Sequence, residues 1–296
     1  IMKKKLIAVT LTTTIALAAL AGCGNASSDA TGLDSSDKDT SAVAENGVTT
    51  ITVGYPTSSF PLAYEDESGN LTGYEIEVLK EVDERLEDIQ FEYETAGQDA
   101  LYAGLGTGKY DLVISNAFYT DQRAENYVLT ENPIGASVVG TILRKDVTGI
   151  ETFEDIATNK LKLSPILAGD GLYFVVYQYN QANPDNQIEL TATDDPNSFI
   201  ESVGWVAEGR YDVSLYPRNY WESVIADENG ELHQYYDQVQ FIENRSVNTY
   251  AVLAKGEEDI AKEISDQFGA LKEEGFLEKL SEQFYGYNAF AYNSEN

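Results

Sequence analysis

The sequence predicts an α/β protein of two similar lobes, each a mostly parallel sheet with flanking helices. Two observations carry this. Short β-rich runs alternate with amphipathic stretches in a strand-helix-strand order, the pattern of parallel sheets covered by crossover helices, and that order occurs twice. A Gly-Lys/Arg-Tyr-Asp turn marks each occurrence, Gly108 to Asp111 and Gly209 to Asp212. The patterned region runs from about Val48 to Tyr287, long enough for two small lobes rather than one.

The elements follow in order. Thr50 to Gly54 reads as a strand. Tyr74 to Asp88 reads as a helix, because Ile76, Leu79, Val82 and Leu86 share one face. Phe91 to Thr95 is a strand, Asp99 to Leu105 a helix and Leu112 to Ser115 a buried strand behind the first Gly-Lys-Tyr-Asp turn. In the second set, the strands are Lys160 to Ser164, Ile188 to Ala192 and Asp212 to Leu215. The helices are Leu172 to Gln181, Asn197 to Glu208 and Pro217 to Ala226. An apolar β run, Asn248 to Ala254, and two amphipathic helices, Glu257 to Glu274 and Phe276 to Phe284, close the chain.

Upstream, Lys3, Lys4 and Lys5 precede an uncharged apolar run, Leu6 to Ala21. This has the form of a secretory signal peptide and is shorter than the ~20 residues that span a bilayer. It ends in Leu20-Ala21-Gly22-Cys23, which resembles the lipobox of bacterial lipoproteins and implies cleavage before Cys23 and lipidation there. Residues 1–22 are thus expected to be a leader. Residues 23–47, rich in Ser, Asp, Ala, Thr and Gly, bury too little surface to order themselves and are expected to be a disordered tether. The mature protein would sit on the extracellular face of the cell membrane, held by lipid.

Composition excludes several classes. Cys23 is the only cysteine, so no disulfide framework or cysteine metal site is expected. The single His233 reads as a surface imidazole, and no cofactor or metal is implied. The 50 acidic and 19 basic residues give a net charge of −31, and losing the leader's three lysines makes it more negative. Such a surface repels nucleic acid and anionic lipid. An anionic ligand must then be held by a local cationic cluster, so each arginine is informative.

Four segments in order carry a resemblance. They are Gly54 with Phe60 to Tyr64; Gly69 to Val78, a Gly-aromatic-acid-aliphatic-acid-aliphatic run; Gly104 to Asn116 with Thr120-Asp121-Gln122-Arg123; and Ile264 with Leu271 to Phe276. Together they resemble family-3 extracellular solute-binding proteins, the ligand-capturing subunits of polar amino-acid ABC importers. Asp83 departs from the small residue usual at its position. The resemblance implies a two-lobed periplasmic-binding-protein-like clamp that closes on its ligand. Lobe 1 would be residues 48–137 plus 248–296, and lobe 2 residues 138–247. Crossing strands near Gly140 to Arg144 and Asn248 to Ala254 would form the hinge. It also implies a membrane permease as partner, and the chain is expected to be a monomer.

Site residues follow from the same resemblance. Arg123 stands where the family holds the ligand's α-carboxylate, and a guanidinium suits that role because it gives two parallel donors. Gly169-Asp170-Gly171 matches a turn that offers backbone amides to the same carboxylate, with Asp170 in place of a hydroxyl residue. Gly171 is expected to contact ligand, and Asp170 to cap the helix or reach an ammonium. The aromatic stacking positions fall near Ser59, with Phe60 beside it, and near Gln98. The hydroxyl position upstream of Arg123 falls at Phe118, and Asn116 ends the segment before it. The family's amine-binding acid falls near Pro217, so the chain reads Tyr216-Pro217-Arg218 there. Tyr216 is expected to line the cleft and Arg218 to accept a second anionic group. The segment from Ser115 to Tyr127 slightly resembles the cystine and sulfur-amino-acid branch. The alternatives are a dehydratase-like enzyme on the same fold, which needs a general acid or base in the cleft, and a ligand sensor signalling to a membrane partner.

Overall fold

The computed structural model describes residues 42–43, 47–57 and 59–292; for residues 42–43 only the backbone is described. Strand β1 (Thr49–Pro56) leads to helix α1 (Tyr74–Arg85), strand β2 (Ile89–Ala96), helix α2 (Gln98–Thr107) and strand β3 (Leu112–Phe118). Short helix α3 (Asp121–Asn126) precedes long strand β4 (Gly135–Arg144). Next come α4 (Phe153–Thr158), β5 (Ile166–Leu167), α5 (Gly171–Ala182), β6 (Ala192–Thr193), α6 (Ser198–Ala207) and β7 (Val213–Pro217). A single α-turn, α7 (Arg218–Tyr220), continues as a π-helical turn over Trp221–Ala226. Strand β8 (Val239–Leu253) and helices α8 (Glu258–Glu273) and α9 (Phe276–Tyr285) complete the chain.

β1 pairs in parallel with β2 along its whole length and with β3 at Val53 and Gly54. β5 and β6 are parallel, and a parallel bridge joins Leu163 to Val213 of β7. Antiparallel β8 and β4 join these parallel parts. β8 pairs with β3 through Thr249 to Leu253 and with β4 from Val239 to Thr249, while β4 pairs with β7. One sheet therefore runs through the molecule, and the described residues fall in one compact unit.

Apolar cores flank that sheet. The largest gathers β1, α1, β3, α8 and α9 around Ile51, Val53, Ile76, Leu79, Ile114, Ile264 and Phe268. A neighbouring cluster holds Leu101, Tyr110, Val113 and Val252. Two more form around Val139, Phe153, Leu172, Val176 and Val213, and around Ile142, Val203, Val206, Tyr216 and Ile225.

The two Gly-x-Tyr-Asp turns perform the same task. Gly108 and Gly209 take positive φ, which glycine adopts without steric penalty. Asp111 Oδ2 then accepts from the Thr52 amide at 2.7 Å, and Asp212 Oδ2 from the Lys162 amide at 2.8 Å. Each turn thus seats its following strand beside an earlier one. Asp83, the departure noted above, accepts from the Phe91 amide at 3.0 Å and anchors the start of β2.

Several expectations are corrected. The predicted strand 160–164 contributes only the Leu163 bridge: Lys160 has φ 52, and Pro165 brings no amide to extend a ladder. The predicted strand 188–192 shrinks to Ala192–Thr193, because the Asn180 side chain of α5 takes both the Ile188 amide and its carbonyl. Helix α1 stops at Arg85 because Leu86 is extended. The β run 248–254 is the end of a much longer strand. Helices α3 and α4 were not anticipated; Thr120 and Thr152 cap them, the latter in a capping box with Asp155. Within the expected disordered tether, Ala42–Val43 pairs antiparallel with Thr49 and Thr50. The leader and Cys23 lie outside the described residues. Among the described residues, no helix is long and apolar enough to cross a membrane.

Candidate functional site

A cleft of about 550 Å³ opens where the C-terminal ends of β1, β2, β3 and β7 face the N-termini of α5 and α6. Seven of the sequence-selected residues line it: Ser59, Gln98, Asn116, Phe118, Arg123, Asp170 and Gly171. Three do not. Phe60 lies outside it, 60% exposed and edge-on to Tyr64. Tyr216 is 0% exposed: its ring stacks on Phe199 at 4.2 Å and its hydroxyl donates to the Phe199 carbonyl, so it belongs to the core. Arg218 is held between Glu222 at 2.8 Å and Glu243 at 2.7 Å and lies over the Tyr287 ring, so it has no spare charge for an anion.

Arg123 is built in from both sides. Thr120, the N-cap of α3, accepts from the Arg123 amide at 3.1 Å, which fixes the first turn. One guanidinium nitrogen donates to the Phe118 carbonyl at 2.8 Å, and the group lies 5.6 Å from the Tyr102 ring centre. Among the described residues Arg123 forms no ion pair, so its other donors remain available to a ligand.

The start of α5 packs directly on this segment. A Cβ on Gly171 would lie 2.5 Å from the Phe118 ring, and one on Gly169, at φ +80, would lie 2.7 Å from Gln122. The two glycines therefore let the N-terminus of α5 approach the end of β3 and the start of α3, the helix that carries Arg123. The first amides of a helix lack internal partners and favour negative charge. Asp170 caps the helix by accepting from the Leu172 amide at 2.7 Å.

Asp170 and Arg123 are the only charged side chains among the described residues lining the cleft. Burial pushes the Asp170 carboxyl above its usual range, against the Leu172 amide and the Arg123 charge, which hold it down. Tyr220 faces the same region; burial and the Asp170 charge raise its pKa. Pro217 also lines the cleft. Among the described residues, no cluster of three or more His, Cys, Asp or Glu is placed to hold a metal ion.

The wall behind Asn116 holds an unusual arrangement. Asn116 has φ 52, a left-handed conformation that asparagine tolerates better than most residues. Its amide donates to Glu75 Oε1 at 3.1 Å, while Glu75 Oε2 is buried without a partner. Burial raises the Glu75 carboxyl to about 7.

Sequence reasoning missed Phe199, Pro196 and Leu167 as lining residues. Phe199 sits in the first turn of α6 and was indistinguishable from a core aromatic. Its contacts with Tyr216 and Tyr220 (ring centres 5.4 Å apart for the latter) put it at the edge between core and cleft.

Comparisons with known proteins agree on a family. The model for bacterial extracellular solute-binding proteins, family 3, matches residues 51–287. The L-cystine-binding protein TcyA of Bacillus subtilis (strain 168) is 23% identical over 291 residues, 96% of this chain and 98% of the relative. The L-cystine-binding protein TcyJ of Escherichia coli (strain K12) is 24% identical over 245 residues, 82% of this chain and 85% of the relative. A solved chain from work on glutathione import via GshT and the cystine ABC importer TcyBC of Streptococcus mutans superposes with a TM-score of 0.59 at 26% identity, covering 81% of this chain and 95% of that one. The L-cystine solute receptor of Neisseria gonorrhoeae, in its unliganded open conformation, has a TM-score of 0.52 at 24% identity over 81% of this chain and 94% of its own, which speaks for the fold alone.

Proposed function

The chain belongs to the family-3 bacterial extracellular solute-binding proteins, and from that premise we propose that it captures an amino acid or related small carboxylate for an ABC importer. The observation that carries this reading is the Arg123 guanidinium, unpaired in the cleft and packed beside the N-terminus of α5. A carboxylate entering there meets the guanidinium fork and the helix amides together, and paired charged bonds of this kind are the strong ones. Asp170, the cleft's described carboxylate, takes the ammonium that Pro217 cannot. Phe199 and Tyr220 supply apolar surface for the side chain.

In this reading residues 48–137 with 248–296 form one lobe and 138–247 the other. β4 and β8 act as the hinge, and the ligand favours the closed arrangement by binding it better. The protein is tethered through lipid on Cys23 at the extracellular face of the membrane, works as a monomer and hands its ligand to a permease. The relatives named for L-cystine make that compound the first to test. No turnover is expected.

A thermal-shift screen of L-cystine, other amino acids and small organic acids tests the proposal, since a native-state ligand raises the melting temperature. Calorimetry on the best ligand should then show a loss of roughly two to four decades of affinity in Arg123→Ala, because leaving one side of a buried charged pair alone costs about 3–5 kcal/mol. Arg123→Lys should recover part of it, lacking the planar fork. Asp170→Asn should weaken amino acids but spare ligands without an ammonium. Near-wild-type affinity in a folded Arg123→Ala would refute the assignment, and conversion of the ligand to product would favour a dehydratase-like enzyme.

A further inference from the structure

A second hollow, of about 250 Å³, lies on the other side of Phe118, between α5 and the stretch of β8 that passes from pairing with β4 to pairing with β3. Tyr119, Gln178, Arg245 and Asn248 supply its polar lining. Arg245 is the informative member. In a chain with 50 acidic residues, it forms no ion pair, side-chain hydrogen bond or ring contact among the described residues. The acid nearest to it in sequence, Glu243, is committed to Arg218. Burial without a compensating charge lowers the Arg245 pKa, the mark of a guanidinium that lacks a counterion.

The backbone is adapted at this place. Glu243 pairs with Gly140 and Arg245 with Val139, which leaves Asn244 as an extra residue. Such a bulge bends a strand and re-aims its side chains, and bulges concentrate beside functional sites. Asn244 is itself tied down by Thr141 and the Glu151 carbonyl. Asn248 lines the same hollow, and its buried Oδ1 has no partner. A half-buried cation and a residue with an unmet acceptor thus border one cavity; a carboxylate would pair with the first, and a donor would satisfy the second once the Asn248 side chain turns toward it.

We propose that this hollow is a second binding site, separate from the main cleft, for a small organic carboxylate that also carries a hydroxyl or N–H donor. The carboxylate pairs with Arg245 and the donor meets Asn248. Its place between α5 and β8 lets an occupant brace the two elements against each other.

Glycolate and acetate are suitable probes, because they share the carboxylate and differ in the hydroxyl. In an amide NMR titration of the full chain, glycolate should give saturable shifts at Gln178, Ser246 and Asn248. Acetate should bind roughly three- to tenfold more weakly, the worth of one net hydrogen bond. The shifts should vanish in Arg245→Gln, weaken in Gln178→Leu and persist in Arg123→Ala. Gln178 is an exposed surface position, so its variant keeps the test open if Arg245→Gln fails to fold. Absence of saturable shifts at these residues overturns the proposal. So does their loss in Arg123→Ala with retention in Arg245→Gln, which would place the anion in the main cleft. Equal affinity for the two probes would refute the donor contact with Asn248.

Discussion

In Glu75→Gln, folding should lose a pH dependence that the wild-type chain carries between about pH 4.5 and pH 7. The Glu75 carboxyl is fully buried in the first turn of α1, and burial raises it from 4.5 to about 7, with only the Asn116 amide pulling the other way. Below about pH 4.5 the group is protonated in both folded and unfolded chains, and its full contribution to stability is present. As pH rises, the unfolded chain releases the proton first while the folded chain keeps it. Stability therefore falls through this window and levels off once the folded group has also ionised. The two values differ by about 2.5, which at ~1.36 kcal/mol per pKa unit amounts to about 3 kcal/mol. Glutamine keeps an oxygen for the Asn116 amide, which Glu75 Oε1 accepts at 3.1 Å, and it cannot ionise. Urea unfolding of both proteins at pH 4.5, 6 and 8 measures the effect. Other carboxyls titrate alike in the two chains, so the stability difference isolates Glu75. It should move in favour of the variant by about 3 kcal/mol from the lowest to the highest pH. Parallel curves would refute the reasoning, because they would mean that Glu75 ionises in the folded chain as easily as in water.

Gly171→Ala should destabilise the protein by about 1–3 kcal/mol in the same unfolding assay, because its Cβ would press on the Phe118 ring at 2.5 Å. It should also weaken ligand binding by pushing α5 away from Arg123. Arg218→Ala should lower stability by about 1 kcal/mol, through loss of two partly exposed ion pairs and the stack on Tyr287, yet leave calorimetric ligand affinity unchanged because it lies outside the cleft. Cys23→Ser should shift the protein from the membrane fraction to the medium or leave it unprocessed; mass spectrometry of membrane-bound protein finding Cys23 unmodified would count against a lipid anchor.

Much of the fold was legible because its signals are local. Gly108 and Gly209 mark turns through a backbone conformation that glycine adopts freely, and the aspartates three residues later bond to the strand laid beside them. Helices α1, α5, α6, α8 and α9 announce themselves through apolar spacing. The failures share a cause. Ile188 reads as strand, but a side chain from α5 occupies its amide and carbonyl. Tyr216 and Arg218 read as cleft residues, but Phe199 covers one, while Glu222, Glu243 and Tyr287 hold the other.

The sequence by itself determined the class of fold and the order of most elements, because periodicity and turn chemistry act over a few residues, and the resemblance of its Thr120–Arg123 segment to a family motif made Arg123 a candidate. Only the tertiary structure decided which polar groups keep a partner. Arg123 and Gly171 are 48 positions apart and line one cleft because two glycines admit Phe118 and Gln122. Arg245 and Arg218 are both arginines near acids in sequence, yet one is paired twice and the other is not paired among the described residues. Ion pairing depends on distance and burial in space, and those are settled only when the strands and helices pack.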